Sequence, residues 1–155
     1  MKRYLLIVFL FLITPLSAQK WGIKTEYFGK ACRSAEGNMQ WIGVKGTDLN
    51  HTIHVAHTYH AVGTFNYLVG RVLLLGTRMK PVNLAAPFLP SCSLYVNPLV
   101  IIPYPYFAMN ILKSSQLNGM SYVAQWLVIQ KVTGGPRTIL AFSMTDAVQV
   151  TFVKK

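Results

Sequence analysis

The chain has 155 residues, 52% of them hydrophobic and only 12% charged, so it is long enough for one domain with a single core. The hydrophobic share excludes a disordered chain, and eight prolines and eleven glycines exclude a coiled coil. Fifteen lysines and arginines against four acidic residues give a formal net charge of +11, but the basic residues do not cluster, so the charge does not favour nucleic-acid binding.

The first predicted element is a secretory signal peptide at residues 1–18. A basic start at residues 1–3 precedes an apolar run at 4–16, and Ser17 and Ala18 supply the small residues before a cleavage point. The run is shorter than the about 20 residues that a membrane-spanning helix needs, and an uncleaved anchor is the alternative. No later segment is long enough and apolar enough for a span, so the sequence predicts a secreted, periplasmic or cell-surface protein.

Residues 19–38 are predicted as a lead-in segment and residues 39–155 as one β domain. Short apolar or alternating runs separated by turn-forming residues are typical of all-β folds, and no segment keeps a helical period. About seven to nine such strands predict a two-sheet antiparallel β-sandwich, immunoglobulin-like or jelly-roll-like. The predicted strands lie at residues 39–44, 51–58, 66–75, 93–96, 99–102, 106–112, 120–130, 138–143 and 147–153.

Alternation along two of these strands predicts which side chains face the core. In residues 120–128 polar residues occupy odd positions, so the even positions are predicted to be inside. These even positions carry Met120, Tyr122, Ala124, Trp126 and Val128. The last strand places Val148, Val150 and Phe152 inside in the same way. Residues 77–90, with three prolines, are predicted as a connection that can hold a short edge strand, and residues 114–119 as one helical turn.

The chain has two cysteines, Cys32 and Cys92. An even count in an exported chain predicts a disulfide, and two cysteines permit only one intramolecular pairing. A metal site is not favoured, because neither cysteine belongs to a C-x-x-C motif. A catalytic thiol is not favoured either, because no charged residue or histidine adjoins Cys92 in the sequence.

All four histidines, His51, His54, His57 and His60, recur at every third position. The β-branched residues between them favour a strand, in which neighbouring histidines would face opposite sides. Histidines on the same side would then lie about 20 Å apart, too far for one metal ion. The sequence therefore predicts an exposed or edge strand without a metal site, with metal binding or pH sensing as the alternative.

The arrangements on which hydrolases depend are missing from the sequence. It contains no G-x-S-x-G motif, and its four acidic residues lie in turns or near the termini without useful spacing. It also contains no H-E-x-x-H motif, phosphate-binding glycine loop or EF-hand pattern. The chain is therefore not predicted to be an enzyme, and no cofactor is predicted.

Several segments together resemble a known family. Residues 27–32 are similar to a Tyr-Gly-x-x-Cys opening with one extra residue before the glycine, and further similar segments lie at 81–84, 90–98, 122–128 and 147–152. Residues 27–153 as a whole resemble a β-sandwich module common in secreted proteins of planctomycete-type bacteria. The resemblance implies a sandwich, export and a Cys32–Cys92 pair, and it implies no established activity. This chain differs in being basic and in carrying histidines.

The predicted function, reached by elimination and location, is a secreted non-enzymatic module that binds or packs at the cell envelope or in the extracellular space. The basic surface predicts anionic polysaccharides or envelope proteins as partners. The alternative is a carbohydrate-binding module in which Tyr104 and Tyr106, on either side of a proline in a predicted turn, stack on a sugar. A hydrolase without a recognisable motif is the third hypothesis.

Overall fold

The computed structural model describes residues 21–35, 37, 39–47, 52–58, 66–103, 107–110, 117–134 and 137–154. The strands in this part are β1 (Trp21–Phe28), β2 (Trp41–Thr47), β3 (Thr52–Thr58), β4 (Asn66–Asn83), β5 (Ser93–Ile102), β6 (Phe107–Asn110), β7 (Ser121–Gly134) and β8 (Arg137–Lys154). Within the same residues, no helix has the length and apolar character that crossing a membrane requires. The predicted signal peptide at 1–18 lies outside the described residues, as does most of the predicted helical turn at 114–119.

The strands form two antiparallel sheets, which confirms the predicted all-β sandwich. The larger sheet has the strand order β1-β8-β7-β4-β5, and the smaller sheet has the order β2-β3-β6. The β7–β8 ladder is continued as far as Gly134 opposite Arg137, so these two long strands form a hairpin. They lie at the centre of the larger sheet.

The main core lies between the two sheets. Its large apolar side chains come from one face of β4, β7 and β8 and from β3 of the smaller sheet, because alternate residues of a strand point to the same side. Its fully buried members include Ile53, Val55, Leu73, Ala124, Trp126, Val128, Val148 and Val150. The predicted inward positions of β8 are therefore confirmed, and so are Ala124, Trp126 and Val128 on β7.

The prediction that Met120 faces the core is wrong, because its side chain is 55% exposed. Met120 precedes the first residue of β7 and belongs to a turn in which its N–H donates to the carbonyl of Leu117 at 3.0 Å. Strand alternation therefore does not yet apply to it. Tyr122, two residues later, is partly buried against the core.

A second apolar cluster covers the outer face of the larger sheet, which is the face turned away from the smaller sheet. It consists of Cys32, Leu74, Cys92, Tyr95, Val96, Val123, Met144 and Ala147. The Tyr95 hydroxyl of β5 accepts a hydrogen bond from the N–H of Lys30 at 3.0 Å, just after β1. Gly29 lies directly beneath the Tyr95 ring, where a Cβ atom would overlap it. Because β1 and β5 are opposite edges of one sheet, this contact shows that the sheet curls over its outer face.

The largest differences from the predicted strands concern β1, β4, β5 and β8. β1 lies inside the predicted lead-in segment at 19–38, and it pairs with β8 along its whole length. β4 continues to Asn83 through the predicted connection, and a register shift between Arg78 and Val82 keeps Pro81 out of the ladder. β5 and β8 each join two predicted strands into one.

A bulge in β8 links the two sheets. A register shift between Gln125 and Leu127 leaves Thr145 and Asp146 opposite one residue of β7. The Asp146 carboxylate accepts a hydrogen bond at 2.9 Å from the N–H of Ile42 in β2. Burial raises the pKa of the Asp146 carboxyl, and this backbone hydrogen bond partly opposes the rise.

This raised pKa predicts a specific dependence of stability on pH. Because the folded protein holds the Asp146 proton more tightly than the unfolded chain, the stabilisation from that proton is complete below the ordinary carboxyl pKa of 3.8 and is lost as pH rises through the folded pKa. Asp146→Asn removes the titration and keeps an oxygen for Ile42. The unfolding free energy of wild type minus that of the variant should fall as the pH of the urea titrations is raised above about 4. A constant or rising difference would contradict the assignment.

Candidate binding groove over the disulfide

The Cys32–Cys92 disulfide is present, as predicted, and ties two connecting segments to the outer face. Both cysteines are only 1% exposed. The N–H of Cys32 donates to the carbonyl of Met144 at 3.0 Å, and the N–H of Met144 lies 2.9 Å from the Cys32 Sγ. The β1–β2 connection is therefore fixed to β8 at this point.

The segment before Cys92 is fixed to the same strand. The N–H of Leu89 donates to the carbonyl of Phe142 at 2.8 Å, and the rings of Phe88 and Phe142 are 5.7 Å apart. The N–H of Cys92 donates to the carbonyl of Leu89, which closes a turn. Ser91 in this turn has a φ of 66°, a left-handed conformation that costs a non-glycine residue roughly 1 kcal/mol or more.

These two segments form the walls of a cavity that we call the disulfide groove. Residues 30–35, 37 and 39 line one side, and residues 89–91 line the other. Its volume of about 550 Å³ falls within the range of about 300–1,000 Å³ typical of ligand sites. Because each wall is hydrogen-bonded to β8, the groove is formed before any ligand arrives.

The described lining of the groove is cationic. Lys30 and Arg33 are both exposed on one wall, and the Arg33 Nη1 donates to the carbonyl of Gly37 at 3.2 Å, which orients the guanidinium. No carboxylate is present among the lining residues that the structure describes. The groove therefore offers an oriented guanidinium and an ammonium group, the chemistry that binds carboxylate, sulfate or phosphate groups.

Charge elsewhere on the described surface is also unbalanced. Only two carboxylates are described, those of Glu26 and Asp146. The Asp146 Oδ1 already accepts a hydrogen bond from the N–H of Ile42. Glu26 pairs with Arg78 at 3.2 Å, and the Arg78 guanidinium also lies 4.0 Å from the centre of the Phe28 ring. This is the one ion pair among the described residues. The other described lysine and arginine side chains are Lys24, Lys30, Arg33, Lys45, Arg71, Lys80, Lys131 and Lys154.

The inner face of the larger sheet carries buried polar atoms. The Trp126 Nε1, the Gln130 Nε2 and the Arg71 Nε have no hydrogen-bond partner among the residues that the structure describes. Burial lowers the pKa of Arg71 and raises that of Tyr122, whose hydroxyl also lacks a described partner. The main core is therefore not purely apolar on this face.

The histidines do not form a described site. His54 and His57 lie on β3, in register with Lys45 and Ile42 of β2, whereas His51 and His60 are outside the described residues. In the described part of the chain, no three metal-binding side chains are grouped to hold an ion. The prediction that the histidines bind no metal stays a prediction.

The groove itself was not a candidate in the sequence. Its two walls lie about 60 residues apart, and neither carries a motif. Tyr104 and Tyr106, the predicted sugar-stacking residues, are outside the described residues. The large exposed aromatic residues that the structure does describe are Tyr27 and Trp41, at 49% and 44% exposure. Tyr27 is already engaged, because its hydroxyl accepts from the N–H of Val44 at 3.3 Å.

The fold and the groove define a class of protein, a disulfide-stabilised β-sandwich with a cationic groove on its outer face. Comparisons of the chain with protein-family models, curated proteins and solved structures found no match. The resemblance to a planctomycete-type module therefore stays a prediction.

Proposed function

We propose that the chain is an exported, non-enzymatic module that binds anionic polysaccharides at the cell envelope through the disulfide groove. The observation that carries this proposal is the pair of exposed cations, Lys30 and Arg33, on a groove wall that is fixed to the sheet. The Cys32–Cys92 disulfide supports export, because disulfides persist in oxidising compartments.

A repeating acidic polymer suits this groove better than a single small anion. Exposed ion pairs in water contribute only about 0.2–1 kcal/mol each, so Lys30 and Arg33 alone would hold one anion weakly. A polymer with regularly spaced acidic groups engages several cations at once, and binding through linked contacts raises the overall affinity. The surplus of positive charge on the described surface extends this attraction beyond the groove.

The proposal predicts that groove cations matter more than other cations. The double variant Lys30→Gln/Arg33→Gln should bind polygalacturonate at least about tenfold more weakly than wild type, the loss expected from two contacts of about 0.7 kcal/mol each. The matched control Lys131→Gln/Lys154→Gln removes the same charge from exposed positions on β7 and β8, and it should lose no more than about threefold. Isothermal titration calorimetry measures both. Equal losses in the two variants would contradict a groove site.

Two further controls test the chemistry of binding. Affinity for polygalacturonate should fall steeply between about 0.05 M and about 0.5 M sodium chloride, because screening shortens the reach of exposed charges, and neutral dextran should not bind at either concentration. The polymer should keep its chain length during incubation. Shortening of the polymer would contradict the non-enzymatic part of the proposal.

A further inference from the structure

The exposed apolar side chains of β5 form a ridge at one edge of the larger sheet. Leu99, Val100 and Ile101 are 71%, 50% and 62% exposed, and we call these three residues the β5 ridge. β5 pairs with β4 on one side, and no other strand of the described residues lies against its free side. An exposed apolar patch commonly marks a surface that contacts a partner protein or a membrane.

The β5 ridge stands on a bulge in the ladder between β4 and β5. The ladder shifts register between Leu75 and Gly76, and Leu99 is the extra residue of β5 at that point. Gly76 permits the close approach of β5 there, because a Cβ atom on it would overlap the Asn97 carbonyl. A bulge bends its strand and interrupts the regular alternation, so three consecutive side chains stand clear of the sheet.

The bulge and the charge of the chain limit what can cover the β5 ridge. A partner strand needs evenly arranged N–H and C=O groups, which a bulge interrupts, so strand pairing fits this edge poorly. A second copy of the chain fits poorly as well, because two molecules of net charge +11 repel each other. A lipid surface accepts side chains of any spacing, and anionic lipids attract a basic protein.

Cations lie beside the β5 ridge on the neighbouring strand. Arg78 and Lys80 are exposed on β4, and Arg78 is opposite Val96, three residues from Leu99. This spacing places Arg78 about 10 Å along the strand from the ridge and about 5 Å behind the sheet edge. Arg78 also pairs with Glu26, so Lys80 supplies the net charge at this position. If the ridge enters a lipid surface edge-first, both cations can reach the phosphates around it.

The sequence around the β5 ridge suits the same surface. Residues 81–112 contain no charged residue, although the chain as a whole is basic. Tyr104 and Tyr106 follow the ridge within this segment, and tyrosines are enriched where proteins meet the interface between membrane and water. The ridge therefore belongs to the one long stretch of sequence that carries no charge to oppose contact with lipid.

We propose that the β5 ridge inserts into the surface of a membrane that contains anionic lipids. The insertion is shallow, because the free main-chain N–H and C=O groups of β5 must stay at the depth of the headgroups, where water pairs with them. Only the side chains of the ridge enter the boundary between headgroups and acyl chains. The inference is independent of the disulfide groove, which the ridge does not line.

Co-sedimentation of the purified protein with vesicles tests this proposal. At about 0.15 M salt, wild type should pellet with vesicles of equal parts phosphatidylglycerol and phosphatidylcholine. The variant Leu99→Thr/Val100→Thr/Ile101→Thr should bind at least about tenfold more weakly, because it loses most of the apolar area that enters the lipid. The control Ile139→Thr/Leu140→Thr, which removes side chains of 59% and 51% exposure from β8, should bind within about threefold of wild type. An unbound wild type, or equal losses in the two variants, would overturn the proposal.

Vesicles of phosphatidylcholine alone test the role of charge. Wild type should bind them at least about tenfold more weakly than the mixed vesicles, because their surface carries no net charge to attract a basic protein. Equal affinity for the two kinds of vesicle would overturn the assignment to an anionic surface.

Fluorescence quenching tests the insertion of the β5 ridge directly. Lipids brominated on their acyl chains quench an indole only when it enters the membrane. Val100→Trp should therefore be quenched more than wild type, whereas Ile139→Trp should be quenched no more than wild type. Circular dichroism of each variant checks that it is folded. A folded Val100→Trp that binds the vesicles without additional quenching would show that another surface binds, and it would overturn the proposal.

Discussion

Replacement of both Cys32 and Cys92 by alanine should lower the free energy of unfolding by about 4 kcal/mol. The disulfide joins residues 60 positions apart, and opening a loop of that length increases the conformational freedom of the unfolded chain by about this amount. Both side chains are buried in the outer-face cluster, so the variant also loses packing there. Urea unfolding without reductant measures the change.

Reduction provides the control for this prediction. Dithiothreitol should destabilise wild type by a similar amount and should leave the double-alanine variant unchanged. Hydrogen exchange should accelerate most in the walls of the disulfide groove and the residues next to them, at 29–35 and 84–92, and least in β3 of the smaller sheet. A variant that keeps wild-type stability, or that loses protection equally everywhere, would show that the disulfide does not hold the groove.

Gln125→Leu should be almost as destabilising, with an expected loss of about 3 kcal/mol or more. The Gln125 side chain is fully buried in β7, and its Oε1 accepts from the N–H of Tyr95 at 2.9 Å. Its Nε2 donates to the carbonyls of Ser93 and Thr145, each at 2.9 Å. Leucine fills a similar volume but leaves these three main-chain groups unpaired, and each unpaired buried group costs about 1–3 kcal/mol.

Gln149→Leu is the matched control for Gln125→Leu. Gln149 lies on the neighbouring strand β8, is only partly buried and contacts Ser121 at 3.5 Å. Its replacement should change the unfolding free energy by less than about 1 kcal/mol. If the two leucine variants are equally stable in urea titrations, the buried hydrogen bonds of Gln125 do not stabilise the junction between β5, β7 and β8.

Alternation was enough to predict the central strands of this fold. In residues 120–130 and 147–153 the side chains of the main core follow a period of two, because one face of β7 and β8 meets that core. The other face is partly buried as well, at Val123, Gln125 and Ala147. The disulfide could be predicted from the expected export of the chain and its even number of cysteines alone. The prediction that Met120 faces the core was wrong because the alternation of polar and apolar residues does not indicate the residue at which a strand begins.

Other features depend on contacts that a local pattern does not contain. β1 was not predicted as a strand, because Lys24 and Glu26 give this segment a polar character. It is a strand because it pairs with β8. The apolar run of β5 resembles a core strand, and only its place at the sheet edge leaves it exposed.

The disulfide groove depends on such contacts as well. Its walls are brought together by the disulfide and by hydrogen bonds to Phe142 and Met144, none of which has a local sequence signal.

The central claim is that the disulfide groove is where an acidic polymer binds. Amide proton–nitrogen NMR spectra, recorded during titration with an oligogalacturonate at about 0.15 M salt, test it most directly, because exposed charges farther apart than about 8 Å are then largely screened. We expect the largest chemical-shift changes at residues 30–37 and at Leu89 and Ser91. Changes spread evenly over the lysine-bearing strands, or centred on β5, would contradict it.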